Sequence, residues 1–243
     1  MIQVGHKPQR KHHAVKVVSA LFLANLLSIA LAQAPTGFAL EEAEALFRQN
    51  PEWLGTDGAN STSLGNDRFF WSFEDTFIAT SEACSRHQST MIRNSVAIQT
   101  GADPLAAKMS FYWRQNTDGS PGSFFPEDGA IWYWTGGAIR LNEGPLVTFL
   151  HRTESTPGVG LGFSNAGYAV AIITNPDQPP SAWEPEIINA KQSAFDAVPA
   201  TALVREGKYV IGLALKQEGV HAGALVRYLA SSLAVGNINN PQW

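Results

Sequence analysis

The sequence predicts an all-β fold of the β-propeller type, and three observations support that prediction. After Pro51, short runs of aromatic and β-branched residues alternate with Gly, Asn, Asp and Pro, which is typical of strands and turns. The runs form three groups, at about 53–115, at about 130–190 and from about 200 onward. Segments such as Phe69–Phe73 are apolar at neighbouring positions, so both faces of the strand need cover. Face-to-face packing of such sheets favours consecutive propeller blades, with a β-sandwich as the alternative.

Residues 1–32 are predicted to be a secretory signal peptide. Residues 17–30 are free of charge and largely apolar, and Ala30 and Ala32 suit cleavage before Gln33. Basic residues precede this run: Lys7, Arg10, Lys11 and Lys16. The run has about 14 residues, fewer than the roughly 20 that span a bilayer, so an uncleaved anchor is the less favoured alternative. We therefore expect a secreted or periplasmic protein without stable membrane insertion.

The mature chain is acidic and has one cysteine. The full chain contains 17 Lys and Arg against 21 Asp and Glu, and loss of the four basic residues of the signal peptide leaves a net charge of −8. Such a surface disfavours polyanions, so nucleic acid is not an expected partner. Cys84 alone allows neither an intramolecular disulfide nor a thiol redox pair. The charge favours a neutral substrate, and no cofactor is expected.

Residues 33–52 are predicted to form a helical strap over the fold. Leu40, Ala43 and Phe47 recur at helical spacing, and the glutamates around Ala43 suit the positive end of the helix dipole. Pro51 ends the helix.

Residues 53–243 are predicted to form one partial propeller domain. Strands are expected near 67–79, 91–100, 108–114, 130–135, 146–153, 167–174, 201–205, 208–217 and 223–230. Their three groups make about three blades, whereas propellers close with four to eight. We therefore expect the chain to be a fragment of a longer reading frame, with strands supplied from elsewhere as the alternative.

Two aspartates are the leading candidates for catalysis. Asp57 lies in the segment WLGTDG and Asp75 in the segment WSFEDT, where aromatic strands meet turns. Glycosidic bond cleavage needs one protonated carboxyl for the leaving oxygen and one ionised carboxylate that activates water or attacks the sugar. The sequence spacing leaves both retention and inversion open. A turn role is the structural alternative, because Asp-Gly pairs favour hairpin turns and Asp bonds nearby backbone.

The segments GTDG, WSFEDTF, RNSVAIQ and WYW, which begin at residues 55, 71, 93 and 132, resemble secreted five-bladed β-propeller glycoside hydrolases. The likeness is greatest to the bacterial endo-D-arabinanase-like group, formerly a domain of unknown function, which carries a Gly-Thr-Asp segment followed by Phe-Gly-Asp-Thr. It covers residues 53 to about 190 and is strongest in the first group of strands. The resemblance implies that Asp57 and Asp75 are catalytic and that a furanose-containing, arabinan-like polysaccharide is cleaved.

Glu74 stands where the endo-D-arabinanase-like group has glycine. A carboxylate beside Asp75 would raise the pKa of its neighbour if both faced the site. Neighbouring residues of a strand point to opposite faces, so we expect Glu74 to face away from Asp75.

Four further residues are predicted to bind substrate. Arg93 can hold a carboxylate and Asn94 can bond sugar hydroxyls, although a buried structural amide is an equal alternative for Asn94. Trp132 and Trp134 alternate onto one face and offer indole rings for stacking on sugars, with packing between blades as the alternative.

Other reaction classes have little support in the sequence. It contains no Gly-x-Ser-x-Gly motif, no His-x-x-x-His pair and no carboxylate-rich calcium loop, so no metal site is expected. A secreted glycoside hydrolase is therefore the preferred hypothesis. The alternatives are a non-catalytic propeller that binds glycan or protein, and an inactive truncated remnant of the enzyme.

Overall fold

The computed structural model describes residues 37, 39–191, 197–216, 222–239 and 241–242. The predicted signal peptide, residues 1–32, lies outside the described residues. Residues Glu41–Trp243 make one compact unit. In the described ranges, no helix combines the length and the apolar character needed to cross a bilayer.

Strands dominate the described residues, and every strand pair among them is antiparallel. The elements in chain order are α1 (Glu41–Glu44), β1 (Trp53–Thr56), β2 (Ala59–Gly65), β3 (Arg68–Phe73), β4 (Thr76–Ala79), β5 (Ser89–Ile92), β6 (Ser95–Thr100), β7 (Lys108–Tyr112), β8 (Arg114–Gln115), β9 (Pro121–Gly122), β10 (Ile131–Arg140), β11 (Leu146–Ser155), β12 (Phe163–Ile173), β13 (Glu186–Asn189), β14 (Ala197–Glu206), β15 (Tyr209–Lys216), β16 (Gly223–Leu229) and α2 (Ala230–Leu233). Short 3₁₀ segments lie at Ala45–Arg48, Arg86–Gln88 and Pro180–Ala182. The all-β prediction is confirmed.

The strands form three larger sheets that follow the three predicted groups. The first sheet has the order β2-β3-β6-β7, the second β10-β11-β12-β13 and the third β14-β15-β16. Strand β10 lies against both β2 and β14, so the first strands of consecutive sheets are neighbours. Two smaller sheets, β1-β4-β5 and β8-β9, adjoin the first sheet. The sequence did not predict β1, β2, β9 or β13, whose residues are mostly exposed or half-buried.

The cores lie between stacked sheets. Phe70 of the first sheet and Leu150 of the second belong to one apolar cluster, and Phe149 of the second sheet and Val226 of the third belong to another. Phe73 lies in a third cluster on the opposite face of the first sheet. Both faces of the first and second sheets are therefore covered, as the apolar segment Phe69–Phe73 predicted.

The 3₁₀ turn after α1 packs on the face of the first sheet that carries the third apolar cluster. Leu46 is buried there, and the ring of Phe47 meets Trp71 edge-on at 5.1 Å. The Gln49 side chain donates to the carbonyl of Ala107 at 3.0 Å and accepts the N–H of Met109 at 2.8 Å. The apolar face differs from the predicted one, because the 3₁₀ turn brings Leu46 inward.

Three breaks at the same level separate strands β2, β3 and β6 of the first sheet from strands β1, β4 and β5 of the smaller sheet. The breaks fall at residues 57–58 between β1 and β2, at 74–75 between β3 and β4, and at 93–94 between β5 and β6. On either side of the breaks the strands stay in register, so the three breaks lie side by side. Candidate site residues occupy all three breaks, where the side chains are released from strict alternation.

A buried network of hydrogen bonds adjoins the strand breaks. The Thr76 hydroxyl donates to the carbonyl of Glu74 at 2.7 Å and lies 3.0 Å from the hydroxyl of Ser95. The indole N–H of Trp53 donates to the same Ser95 hydroxyl at 3.1 Å. These bonds provide partners for buried polar groups, among them the Glu74 carbonyl, where the strand pairing is interrupted.

Candidate functional site

A cleft of about 350 Å³ opens beside the strand breaks. It is lined by Glu74, Trp134, His151, Thr153, Phe163, Ser164 and Asn165. Apart from Glu74, these residues come from the second sheet, where Trp134 pairs with His151 and Thr153 pairs with Asn165. The cleft thus combines one carboxyl, one imidazole, two aromatic rings and several hydroxyl and amide groups.

An aromatic wall forms one side of the cleft. The Trp134 and Phe163 rings meet edge-on, with centroids 4.8 Å apart. Trp132 contacts Trp134 at 6.0 Å but is buried, and Trp134 is partly exposed. Of the two predicted stacking residues, Trp134 therefore reaches the cleft.

Trp132 supports Arg93 rather than lining the cleft. The Arg93 guanidinium lies 4.5 Å from the centre of a Trp132 ring, as in a cation–π contact. The backbone N–H of Arg93 donates to the Ser123 hydroxyl at 3.0 Å. These contacts hold Arg93 from both its side chain and its backbone.

Asp75 contacts two other residues that the sequence predicted for the site, Arg93 and Trp134. The indole N–H of Trp134 donates to Asp75 Oδ1 at 2.8 Å. Arg93 Nη1 lies 3.5 Å from Oδ1 and 3.4 Å from Oδ2 of the same carboxylate. The Asp75 side chain keeps 18% of its surface exposed, so it is held by donors without being sealed from solvent.

Asp57 lies in the neighbouring break and is exposed. Its Oδ1 accepts the backbone N–H of Gly58 at 2.7 Å, which is a local turn bond. The negative charges of Asp57 and Asp75 both raise the pKa of Glu74, so the structure brings all three carboxyls into electrostatic contact.

The expectation that Glu74 faces away from the site is wrong. Residues 74 and 75 form a bend between β3 and β4, so strand alternation does not apply to them, and Glu74 lines the cleft. The pKa of Glu74 is raised from 4.5 to about 7. Burial is the main cause, and the negative charges of Asp57 and Asp75 are the lesser causes.

Asn94 is fully buried and bonds only to backbone. Its Nδ2 donates to the carbonyls of Phe125 at 3.1 Å and Tyr133 at 2.9 Å, and its Oδ1 accepts the N–H of Phe125 at 2.7 Å. This is the arrangement of a structural amide, the alternative kept open for this residue. Asn94 ties the third break to the second sheet and lies outside the cleft lining.

Sequence reasoning did not assign His151, Thr153 or the first residues of β12 to the site. Burial lowers the pKa of His151, which favours the neutral imidazole at neutral pH. His151, Thr153 and Asn165 become neighbours only through the register of β10, β11 and β12. A lone histidine in an apolar strand gives no local signal of that position.

Among the described residues, no group of three or more His, Cys, Asp and Glu side chains is arranged to hold a metal ion.

A family signature covers most of the chain. The Domain of unknown function (DUF5005) matches residues 41–219, which include the three strand breaks and every residue that lines the cleft. The chain belongs to the DUF5005 family. A search of curated protein sequences finds no match to this DUF5005 protein.

The DUF5005 protein also shares its fold with a solved structure. The match is to a presumed hydrolase from Bacteroides ovatus ATCC 8483, with a TM-score of 0.61 and 19% sequence identity. The aligned region covers 80% of this chain and 53% of the Bacteroides protein, so this chain spans about half the length of that structure. At this identity the likeness establishes a common fold.

Proposed function

We propose that this protein is a secreted glycoside hydrolase that cleaves furanose-containing, arabinan-like polysaccharide by acid/base chemistry on carboxyl groups. The carboxyls of the strand breaks would supply the chemistry, with Asp57 and Asp75 the pair that the sequence predicts. The observation that carries the proposal is that the Glu74 carboxyl lines a cleft with aromatic and hydroxyl groups, while Asp57 and Asp75 lie close enough for their charges to act on it.

The cleft has the composition that sugar recognition requires. Apolar faces of sugar rings stack on aromatic side chains such as Trp134 and Phe163, while hydroxyl groups need donors and acceptors around them. Thr153, Ser164 and Asn165 carry such groups within the cleft lining. A neutral ligand also suits a chain with a net negative charge.

Asp75 has the surroundings of the ionised partner in such chemistry. Both of its side-chain contacts, Arg93 and Trp134, are donors, and donors match the anionic form of a carboxylate. An ionised Asp75 would accept the proton of an attacking water or attack the sugar itself.

The stacked sheets support a propeller architecture for the proposed enzyme. The three larger sheets pack face to face, and their first strands β2, β10 and β14 are neighbours, as are the inner strands of consecutive blades. We propose that the three sheets are blades of a five-bladed propeller of the endo-D-arabinanase-like type. The Bacteroides protein named as a hydrolase, which shares the fold, supports the same reaction class.

Reducing-sugar release tests the proposal. The purified chain would be incubated with arabinans, galactans and other neutral polysaccharides, with Asp75→Asn alongside. Release by the parent chain and its loss in the variant, with circular dichroism unchanged, is the expected result. A folded parent chain that releases no sugar from any substrate contradicts the proposal.

Non-catalytic glycan binding is the second candidate, and the position of Asp57 favours it. The Asp57 carboxylate bonds its own turn at Gly58, which is a structural use of the side chain. Binding measured by calorimetry with arabino-oligosaccharides, unchanged in Asp75→Asn and unaccompanied by turnover, would identify a binding module.

A further inference from the structure

We propose that Glu74 is the acid that protonates the leaving oxygen in the cleft, with Asp57 acting on it through charge. This inference rests on the proposed glycoside hydrolase function. It adds a catalytic residue at a position where the endo-D-arabinanase-like group has glycine.

The first argument is the position of the carboxyl. Glu74 carries the only carboxyl among the described residues that line the cleft, whereas Asp75 is outside that lining and accepts bonds from the Trp134 indole N–H and Arg93. Within the part of the chain that the structure describes, the Glu74 carboxyl makes no hydrogen bond. Its oxygens are therefore free to bond a group that enters the cleft.

The second argument is that the fold makes room for this side chain. A Cβ at Gly58 would lie 2.6 Å from Glu74 Cδ and 2.7 Å from Glu74 Cγ, closer than real contacts allow. The Glu74 side chain thus packs on the bare backbone of the neighbouring break, which the absent Cβ makes possible. The backbone supports the same geometry, because the Glu74 N–H donates to the Gly58 carbonyl at 3.4 Å.

The third argument concerns the charges around the carboxyl. Burial and the negative charges of Asp57 and Asp75 favour the protonated form of Glu74 near neutral pH. The basic groups on adjoining elements do not oppose this, because Arg93 is paired with Asp75 and His151 favours its neutral form. A general acid works best when its pKa lies near the working pH, and the pKa of Glu74 is about 7.

The proposed step balances as a hydrolysis. The Glu74 proton passes to the glycosidic oxygen as the bond from that oxygen to the anomeric carbon breaks, and the oxygen keeps the bonding electron pair. A water oxygen forms the new bond to the anomeric carbon. An ionised carboxylate, assigned here to Asp75, accepts the proton of that water, and proton exchange with solvent restores both groups.

The test compares two leaving groups in the full chain. Glu74→Gln keeps the shape of the side chain but has no proton to donate. Arabinan needs protonation of its leaving alkoxide, whereas a 2,4-dinitrophenyl arabinofuranoside does not. We expect Glu74→Gln to lose about 100-fold or more in kcat/KM on arabinan and less than about tenfold on the aryl glycoside.

The pH profile provides a second readout of the same role. The parent chain should lose kcat/KM on arabinan as the pH rises through about 7, because Glu74 must be protonated. Asp57→Asn removes one of the charges that raise this pKa, so the alkaline limb should move to lower pH. Glu82→Gln, at an exposed carboxyl in the loop after β4, is the matched control and should match the parent in both assays.

The outcomes separate the two proposals. Parent activity together with an unimpaired Glu74→Gln, or with equal losses on both substrates, overturns the assignment of Glu74 and leaves the hydrolase standing. A folded parent chain without activity on either substrate overturns the hydrolase and the Glu74 assignment together. Circular dichroism of each variant identifies losses that come from unfolding.

Discussion

Two arginine–aspartate pairs of this protein use their hydrogen-bonding capacity very differently. Arg140 donates to both oxygens of Asp177, at 3.0 and 2.7 Å, and also to the carbonyl of Leu64, while its side chain is only 6% exposed. Arg93 meets the oxygens of Asp75 at 3.4 and 3.5 Å and remains 30% exposed. The first pair joins β2, β10 and the loop after β12, and the second joins two of the strand breaks.

The difference indicates what each pair does. A short bidentate contact with a further backbone bond engages both Nη groups of the guanidinium and fixes the relative position of the elements it joins. A long contact, shared with an indole N–H, leaves acceptor sites on the carboxylate for a proton or a ligand. The structural pair is therefore held by short contacts, and the candidate catalytic pair beside the cleft by longer ones.

The largest expected effect comes from neutralising one aspartate of each pair. Asp75→Asn should lower kcat on arabinan by about 10³-fold, because the ionised partner of the acid is removed. Asp177→Asn makes the same chemical change away from the cleft and should keep kcat within about twofold of the parent. Steady-state reducing-sugar assays measure both, and equal effects of the two variants would contradict the contrast between the pairs.

For the stability of the fold, the Arg140–Asp177 pair should matter more than the Arg93–Asp75 pair. Arg140→Met removes charged bonds to Asp177 and Leu64 from a buried position and should lower the free energy of unfolding by about 2–3 kcal/mol. Arg93→Met keeps apolar contact with Trp132 and should cost about 1 kcal/mol or less. Urea unfolding followed by tryptophan fluorescence measures both, and a larger loss in Arg93→Met would show that the catalytic assignment of its pair is wrong.

A smaller effect on stability tests whether the absence of a Cβ at Gly58 leaves the space that Glu74 occupies. Gly58→Ala places a Cβ against the Glu74 side chain and should destabilise the fold by about 1–2 kcal/mol through overpacking. In a Glu74→Gly background the same change should cost about 1 kcal/mol less, because the contact no longer exists. Urea unfolding of the parent, the two single variants and the double variant completes this double-mutant cycle. Additive costs would show that Glu74 does not pack on Gly58.

The last expected effect is a pH dependence of stability that belongs to Glu74. Its pKa is raised in the folded state, so between 4.5 and about 7 the unfolded chain binds fewer protons and stability falls as the pH rises. Glu74→Gln lacks this loss, so its melting temperature should rise relative to the parent between pH 4.5 and pH 8. Differential scanning fluorimetry measures the shift. A parallel pH dependence in both proteins would argue against a raised pKa.

Local patterns were sufficient for the strands with strong periodicity. The runs at β3, β6, β10 and β11 are apolar enough to be recognised one by one, because burial on both faces requires apolar neighbours. Strand β2 was missed because its alternating residues are small and polar and leave only Leu64 buried. Its place in the sheet depends on pairing with β3, a partner that no local pattern reveals.

In the candidate site, too, some residues were predicted from the local sequence, and the roles of others depend on tertiary packing. Asp75, Arg93 and Trp134 were predicted from their residue types and motif context, and the structure joins them through hydrogen bonds across two sheets. Asn94 has the same polar character as a ligand contact, but its neighbours commit it to backbone carbonyls. Whether a polar side chain meets solvent or backbone depends on the element packed above it.

The sequence by itself determined the all-β class, the three groups of strands and the candidate acids Asp57 and Asp75, because periodicity, turn residues and carboxyl chemistry are local properties. The tertiary structure alone decided that three strands break at one level, that Glu74 turns into the cleft and that Trp134 reaches Asp75. Strand register and sheet stacking join residues that are far apart in the sequence, such as Asp75 and Trp134, which are 59 positions apart. These relations therefore arise only from packing of the whole fold.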